Sequence, residues 1–528
     1  MQCRTLRLEA ERAASTLSLR ATIDQDQMLK KFAQCLGLAS LVLLENYDDF
    51  LAGGGKARMH VPFALGGIAW ANILDIFLLT AVLFAILAPL KRTRLYPVAR
   101  LLLVIAIPLY FLGRLDALLP FALPQLFAPI FTFAWPAALL ILFLRFPSWY
   151  RRAMVFGSRL GAAFAIFAVF SIAQLLAITT WKPGPHQHSA AWAETPQPPR
   201  QHPRLVWILF DELSYDQLFE HRAHDLPLPN FDALRSISTL YTNTQPIGYH
   251  TVSIVPSLIG GQVIDDYRFR WNNQLDLHFP GVRGWHQATG ATSVFGDAQQ
   301  LGWRTAVVGW YNPYCTVYAS AIDDCYWMNW DKIEGPMAQD KTLWHNTWIP
   351  LAQIERRATS SGRAAHFLCN YDVNQRLKTH LDLEKHALRV LQTDQADMIY
   401  FHLSIPHSPN IWSRIDNTYT TTCDSSYLDN LALADIEVGK IMTLLKASPR
   451  WQDTTMIVQG DHSWRVELWD SLPAWTDEDD AASRNIFDPR PAVIIHQPGE
   501  TTPQTDASPW SILNIHQVIE QVLHTQSR

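Results

Sequence analysis

Apolar residues fall along this chain in two regimes. Up to residue 182 they come in long runs with few charges inside them, and a run of about 20 such residues is what a membrane-crossing helix requires. Ile68–Leu90, Val98–Leu112, Leu126–Leu144 and Leu160–Trp181 fit that description. Phe32–Leu44 is a shorter run, halted by Glu45 and Asp48-Asp49, so the pattern predicts four or five helices. From Arg204 onward, short apolar runs alternate with amphipathic stretches, which predicts an α/β domain with a largely parallel sheet. Between the two regimes, Pro and small polar residues predict an extended linker. The expected division is 1–31, an N-terminal segment; 32–182, a multi-span α-helical membrane domain; 183–203, the linker; and 204–528, an α/β catalytic domain.

Basic residues orient the membrane domain. Lys91, Arg92, Arg94 and Arg100 cluster where the second run gives way to the third, and Arg145, Arg151, Arg152 and Arg159 lie between the fourth and fifth, counting Phe32–Leu44 as the first. Both clusters belong on the cytoplasmic side, so the chain leaves Trp181 on the opposite side whether or not the first run spans. No small-residue cleavage site follows the first run, so it is read as retained. Asp75 lies inside the second run, where interface placement or pairing with a neighbouring helix accounts for it better than function. In the linker, His186 and His188 have no thiol nearby and read as solvated. The formal net charge of −5 speaks against a nucleic-acid partner. Cys315 and Cys325 are close enough in sequence to pair, with Cys369 and Cys423 as a second pair, in an oxidising compartment.

Ligands of open parallel sheets bind beyond the carboxyl ends of the strands. "LVWILF" ends at Asp211-Glu212, "DMIYFHLSIPHSP" carries His407 after its strand, and "TTMIVQGDHSWR" delivers Asp461, His462 and then Arg465. Aspartates and a histidine arriving from separate strands form a partial shell for a divalent cation. "HTVSIVPSLIGG" predicts a short helix that starts at Thr251 and ends at Gly260-Gly261. Free backbone amides there favour an anion, and a metal-bound hydroxyl is an activated nucleophile. Thr251 alone also reads as a helix cap, and Ser253 is a competing hydroxyl. The abundant tryptophans are read as core, with stacking on a sugar acceptor as the less common role.

The outer domain resembles the alkaline phosphatase superfamily, in particular sulfatases and sulfatase-like membrane transferases such as phosphoethanolamine transferases and lipoteichoic acid synthases. "ILFDE" resembles the first ligand strand and "HTVSIVPSLIGG" the nucleophile helix, with Thr251 five residues before Pro256. "LGWRTAVVGWYN" resembles G-Y-x-T-x-x-x-G-K-W-H, and "IPHSP" the P-H-x-P loop. "YLDNLALADIEVGKIMTLL" resembles the helix before the last ligand strand, "IVQGDHSWR" the D-H-G motif, and "RPAVIIHQPG" the late strand ending in P-G. The implied fold is an α/β sandwich of alkaline-phosphatase and sulfatase type.

The resemblance implies that Asp211, Thr251, Asp461 and His462 bind one metal ion, zinc before manganese or calcium, with Thr251 the nucleophile. It implies that His407 contacts the transferred or leaving group, and that Glu212, Trp310, Asn312 and Arg465 contact substrate. Several features depart from the relatives. No C/S-x-P-x-R sequence surrounds Thr251. Trp310 and Asn312 replace the lysine and histidine of G-K-W-H, and Ser463 replaces the glycine of D-H-G. The Asp-x-x-x-His element of two-metal relatives is absent near His407, as is a downstream histidine between Arg465 and Arg484. These losses argue against ordinary sulfate-ester hydrolysis. The expectation is a multi-pass enzyme of a bacterial-type inner membrane with its catalytic domain on the periplasmic side. It would transfer a phosphoryl-linked head group from a phospholipid donor to an envelope lipid or glycan acceptor through a phosphothreonine. The alternatives are a phosphodiesterase or atypical sulfatase, and a non-catalytic envelope ligand-binding protein.

Overall fold

The computed structural model describes residues 27–44, 55–90, 93, 95–111, 127–189, 202–330, 342–348, 363–470, 472, 474–483 and 488–525. Most of the N-terminal segment, the basic residues Lys91, Arg92 and Arg94, and linker residues 190–201 lie outside them. The chain divides into two compact units. One takes Met1–Leu51, Leu65–Thr180 and Lys341–Thr359; the other takes Ala52–Ala64, Trp181–Asp340 and Ser360–Arg528.

The first unit is helical: α1 (27–43), α2 (Gly66–Leu90), α3 (Tyr96–Phe111), α4 (Phe127–Arg145) and α5 (Pro147–Ile178). Pro at the first position of α5 starts that helix without losing a hydrogen bond, because the first-turn amides have no intrahelical partner. Among the described residues, two stretches are long and apolar enough to cross a membrane, Gly66–Leu87 and Pro147–Ile178, while Tyr96–Ala106 and Ile130–Arg145 are shorter apolar stretches. Leu101, Leu139, Tyr150 and Met154 form a small core, but many large apolar side chains stay outside it. Phe77, Val82, Ile86, Phe133, Ile166 and Phe170 are exposed, Phe133 by 78% and Ile166 by 75%. Apolar surface on this scale is costly in water and marks a membrane or a partner. Asp75 is buried within this unit.

The second unit is built on a nine-stranded mixed sheet. In chain order its strands are β1 (Gln187–His188), β2 (Arg204–Asp211), β3 (Thr239–Tyr241), β4 (Thr305–Trp310), β5 (Asp324–Met328), β6 (Met398–Pro406), β7 (Thr454–Gly460), β8 (Val493–His496) and β9 (Gln504–Asp506). Their spatial order is β1-β5-β4-β6-β2-β7-β8-β3-β9. The stretch β5-β4-β6-β2-β7 is parallel, whereas β8 runs antiparallel to both its neighbours and β1 antiparallel to β5. The reading of the linker as solvated therefore changes at its start: Gln187 and His188 form an edge strand, and His188 Nε2 bonds the Ile322 carbonyl at 2.9 Å.

Every residue of β2 is buried. A central parallel strand is covered on both faces, so its sequence is a continuous apolar run instead of an alternation. One face of β2 presents Val206, Ile208 and Phe210 to a core shared with α7 (Arg363–Thr393) and α8 (Tyr427–Ala447), through Val373, Leu383, Leu431 and Val438. On the other face Trp207 lies 4.4 Å from Tyr400, ring to ring. Ser426 caps α8 with a reciprocal bond to Asp429, which satisfies two otherwise unpaired amides. Disulfides join Cys315 to Cys325 and Cys369 to Cys423, with Cα separations of 5.6 and 5.9 Å.

Candidate active site

Because β6, β2 and β7 are parallel neighbours, their carboxyl ends share one edge. Phe210 pairs with Gly460 and Asp211 with Pro406. The next residues along each strand are therefore delivered to the same place: Asp211-Glu212 from β2, His407 from β6, and Asp461-His462 from β7. Gly460 is needed there, since a Cβ would stand 2.6 Å from the Leu213 carbonyl oxygen.

The fourth arrival is a helix, α6 (Thr251–Gly260), which ends on Gly261 in the left-handed region at φ 70°. Its first residue, Thr251, is buried, and its Oγ1 lies 2.7 Å from Asp461 Oδ2, 3.1 Å from Asp211 Oδ2 and 3.1 Å from His462 Nε2. Ser253 points elsewhere, donating to the His250 carbonyl at 2.9 Å. The structure thus separates the two hydroxyls that the sequence left in competition.

Asp211, Asp461 and His462 bring one donor atom each within 4.8 Å of one another, all buried. His462 Nδ1 is bonded to the Ser463 carbonyl at 2.9 Å, which turns Nε2 toward the cluster. Asp211 Oδ1 has no hydrogen-bond partner. Burial and the repulsion of Asp461 push Asp211 up to about 8. Burial would lower His462, but the carboxylates of Asp461 and Asp211 reverse that and raise it to about 9. Burial would raise Asp461, and it is nonetheless held well below the carboxylate range by the imidazole of His462 and by bonds from His462 and Thr251. These are side chains that compensate their own charge with protons, the role a divalent cation takes in a metal site. The donor set of carboxylates, hydroxyl and imidazole suits such an ion.

His407 stands at the rim, with a donor atom within 4.8 Å of those of Asp211 and Glu212. Its Nδ1 faces both the Ser408 carbonyl and Nη2 of Arg376. Burial, then the guanidinium groups of Arg376 and Arg465, hold the imidazole well below its ordinary value. The rings of Trp310 and Trp469 flank it at 5.2 and 4.9 Å.

Glu212 and Arg465 are brought to each other instead of to an open surface. Glu212 adopts φ 66°, a left-handed backbone in a residue with a side chain, which costs about 1–3 kcal/mol. Its fully buried carboxylate accepts from Arg465 Nε at 2.8 Å and from Trp469 Nε1 at 3.0 and 3.1 Å. Arg465 also donates to the Tyr249 carbonyl at 3.2 Å. Trp310 donates its indole N–H to Asn329 Oδ1 at 3.2 Å. Asn312 is buried beside the Tyr314 hydroxyl, with neither carboxamide atom in a close hydrogen bond.

Sequence reasoning missed Arg376, Trp469 and His402. Arg376 lies in the middle of α7, bonds the Ser404 and His407 carbonyls at 2.6 and 3.3 Å, and stacks over Trp310 at 4.5 Å. Nothing in a long amphipathic helix distinguishes it. Trp469 follows Arg465 at helical i+4 spacing, a signal that was there to be used. His402 is buried in β6, its Nδ1 bonded to the Tyr314 hydroxyl at 2.7 Å, and reads as one more core position.

The family described as Sulfatase matches residues 203–503, more than half of the chain. Similar solved structures include a phosphonate monoester hydrolase of Agrobacterium radiobacter, with 13% identity over 62% of this chain and 74% of that one, at a TM-score of 0.39. A sulfatase from Pseudoalteromonas sp. has 14% identity over 62% of this chain and 68% of that one, at 0.40. A protein of the alkaline phosphatase superfamily from Vibrio parahaemolyticus has 14% identity over 66% and 70%, at 0.35. Among curated proteins nothing matches.

Proposed function

Since the chain belongs to the sulfatase family, within the alkaline phosphatase superfamily of metal-dependent enzymes, we propose that it is a membrane-anchored transferase working through Thr251. The observation that carries this reading is the placement of Thr251 Oγ1 within 3.1 Å of Asp211, Asp461 and His462 at once. Asp211, Thr251, Asp461 and His462 would hold one divalent ion, zinc before manganese or calcium. When bound, it lowers the hydroxyl pKa and neutralises charge on the ester oxygens.

The substrate is a phosphodiester of a phospholipid head group. Thr251 Oγ1 forms a bond to phosphorus as the bond from phosphorus to the lipid oxygen breaks, and the proton lost by the Thr251 hydroxyl ends on that leaving oxygen. The acceptor hydroxyl of an envelope lipid or glycan then attacks the same phosphorus, loses its proton, and returns Thr251 as a free hydroxyl. His407, held neutral by burial and the guanidinium groups of Arg376 and Arg465, is the group placed to move that proton. Asn312 offers its carboxamide to the head group. Water in place of the acceptor gives hydrolysis, the reading favoured by the match to a family of hydrolases.

Four observations support the anchor and its orientation. The helices of the first unit expose apolar side chains, and two are long enough to span. The disulfides of the second unit belong to an oxidising compartment. Residues 52–64, in sequence between the first and second apolar runs, group with the catalytic unit, as the positive-inside reading requires. We assign the chain to a bacterial-type inner membrane, multi-pass, with the catalytic domain in the periplasm.

The test is to incubate the full chain with a phospholipid and look for a phosphoryl-linked mass increase on the peptide containing Thr251, with and without an added alcohol acceptor. An adduct on Thr251 that clears faster with the acceptor and yields its ester is the expected result. Turnover without any adduct would overturn the assignment.

A further inference from the structure

Residues 55–64 lie in sequence between two apolar helices, yet they pack into the catalytic unit. Gly55, at φ 67°, brings its backbone so close to the Phe269 carbonyl that a Cβ would meet that oxygen at 2.1 Å. Arg58 donates to the same carbonyl at 3.4 Å and lies over the Trp271 ring at 4.6 Å. Met59, His60 and Val61 are buried, and Phe63 stacks on Trp330 at 5.7 Å. Six residues thus hold three separate aromatic anchors: Trp271, Tyr311 and Trp330.

The middle anchor reaches the active site. The His60 ring stacks on Tyr311 at 3.9 Å, and its Nδ1–H donates to the Tyr311 carbonyl at 2.8 Å. Tyr311 has φ 68°, a left-handed turn that an aromatic residue adopts only when its surroundings impose it. That turn places Asn312 with its amide 2.7 Å from the Trp310 carbonyl. A second path runs through Asn329, which donates to the His60 carbonyl at 3.1 Å and accepts from the Trp310 indole at 3.2 Å. Trp310 in turn packs against His407.

We propose that this segment is a built-in wall of the active site and that His60 is a positioning residue. It holds the Tyr311 turn, and so fixes the Asn312 carboxamide and the Trp310 face that His407 rests on. The inference rests on the reading of the site given above. It also means that the catalytic unit is completed by chain from within the anchor region, not by residues after the linker alone.

The test uses the full-length protein in detergent with bis(4-nitrophenyl) phosphate as probe. His60→Phe keeps a ring on Tyr311 and removes the hydrogen bond; His60→Gln restores a donor; His60→Ala removes both. His60→Phe and His60→Ala should lower kcat/KM by up to about tenfold, the scale of one lost hydrogen bond. The loss should sit mainly in KM, with bound metal and Tm of the Phe variant unchanged, and His60→Gln should recover much of it. Hydrogen exchange at residues 310–314 should quicken in the Phe variant whatever the turnover. Phe and Ala variants matching wild type in both kinetics and exchange would overturn the inference, while an inactive Thr251→Ala measured alongside leaves the site reading intact. An active Thr251→Ala would overturn both.

Discussion

The carboxylate of Glu212 and the guanidinium of Arg465 meet at 2.8 Å, both almost without solvent. Each lies one to four residues from a cluster side chain, so the pair braces the site from beneath. Removing one partner of a buried pair leaves the other charge uncompensated, at about 3–5 kcal/mol. Arg465→Met should cost that much in chemical denaturation. Glu212→Gln with Arg465→Met should recover part of it, and a double variant no better than Arg465→Met would show that the pair is not coupled.

Thr251→Ala should abolish turnover, by about 10³-fold or more, as loss of a nucleophile does. Circular dichroism and Tm should change little, because the threonine methyl and hydroxyl are a small part of the buried surface. Thr251→Ser, which keeps the oxygen, should retain measurable activity.

Chelation should lower stability as well as activity, since an ion that binds only the folded state stabilises it by about 2.7 kcal/mol at a hundred times its Kd. Returning zinc to the stripped protein should raise Tm in the wild type and fail to do so in Asp461→Asn. Scanning calorimetry with each ion in turn also ranks zinc, manganese and calcium.

Away from the site, burial and the neighbouring Glu384 raise Glu437 to about 7, although Lys440 Nζ sits 2.7 Å from it. A carboxyl raised in the folded state binds its proton more tightly there than when unfolded. Its contribution is therefore full below pH 4.5 and is lost as pH rises to about 7. Tm measured across that window should fall less steeply in Glu437→Gln than in the wild type.

The parts of this structure legible in the sequence are those where local pattern and topology coincide. "LVWILF" is a buried central strand because all of β2 is covered, and Asp211, Asp461 and His407 follow their strands because parallel neighbours end together. The helix from Thr251 to Gly260 stops on the glycine signal read for it, and one disulfide joins Cys315 and Cys325, the pair nearest in sequence. What stayed hidden depends on distant partners. Nothing near Glu212 in the sequence announces its partner Arg465, 253 positions away. The grip of His60 on Tyr311 spans 251 positions and falls in a stretch whose sequence looks like a mere connection. The antiparallel β8 reads no differently from a parallel strand, because direction leaves no mark on a run of four residues.

The placement of β2 between β6 and β7 also governs when the enzyme can come into being. Asp211 emerges early from the ribosome, but its companions at 461 and 462 follow some 250 residues later, and non-local pairing of this kind is slow to form. A chain made only in part has a first carboxylate and nothing to complete it, so the cluster cannot form. Competence arrives in one event, when the last central strand slides in beside the first.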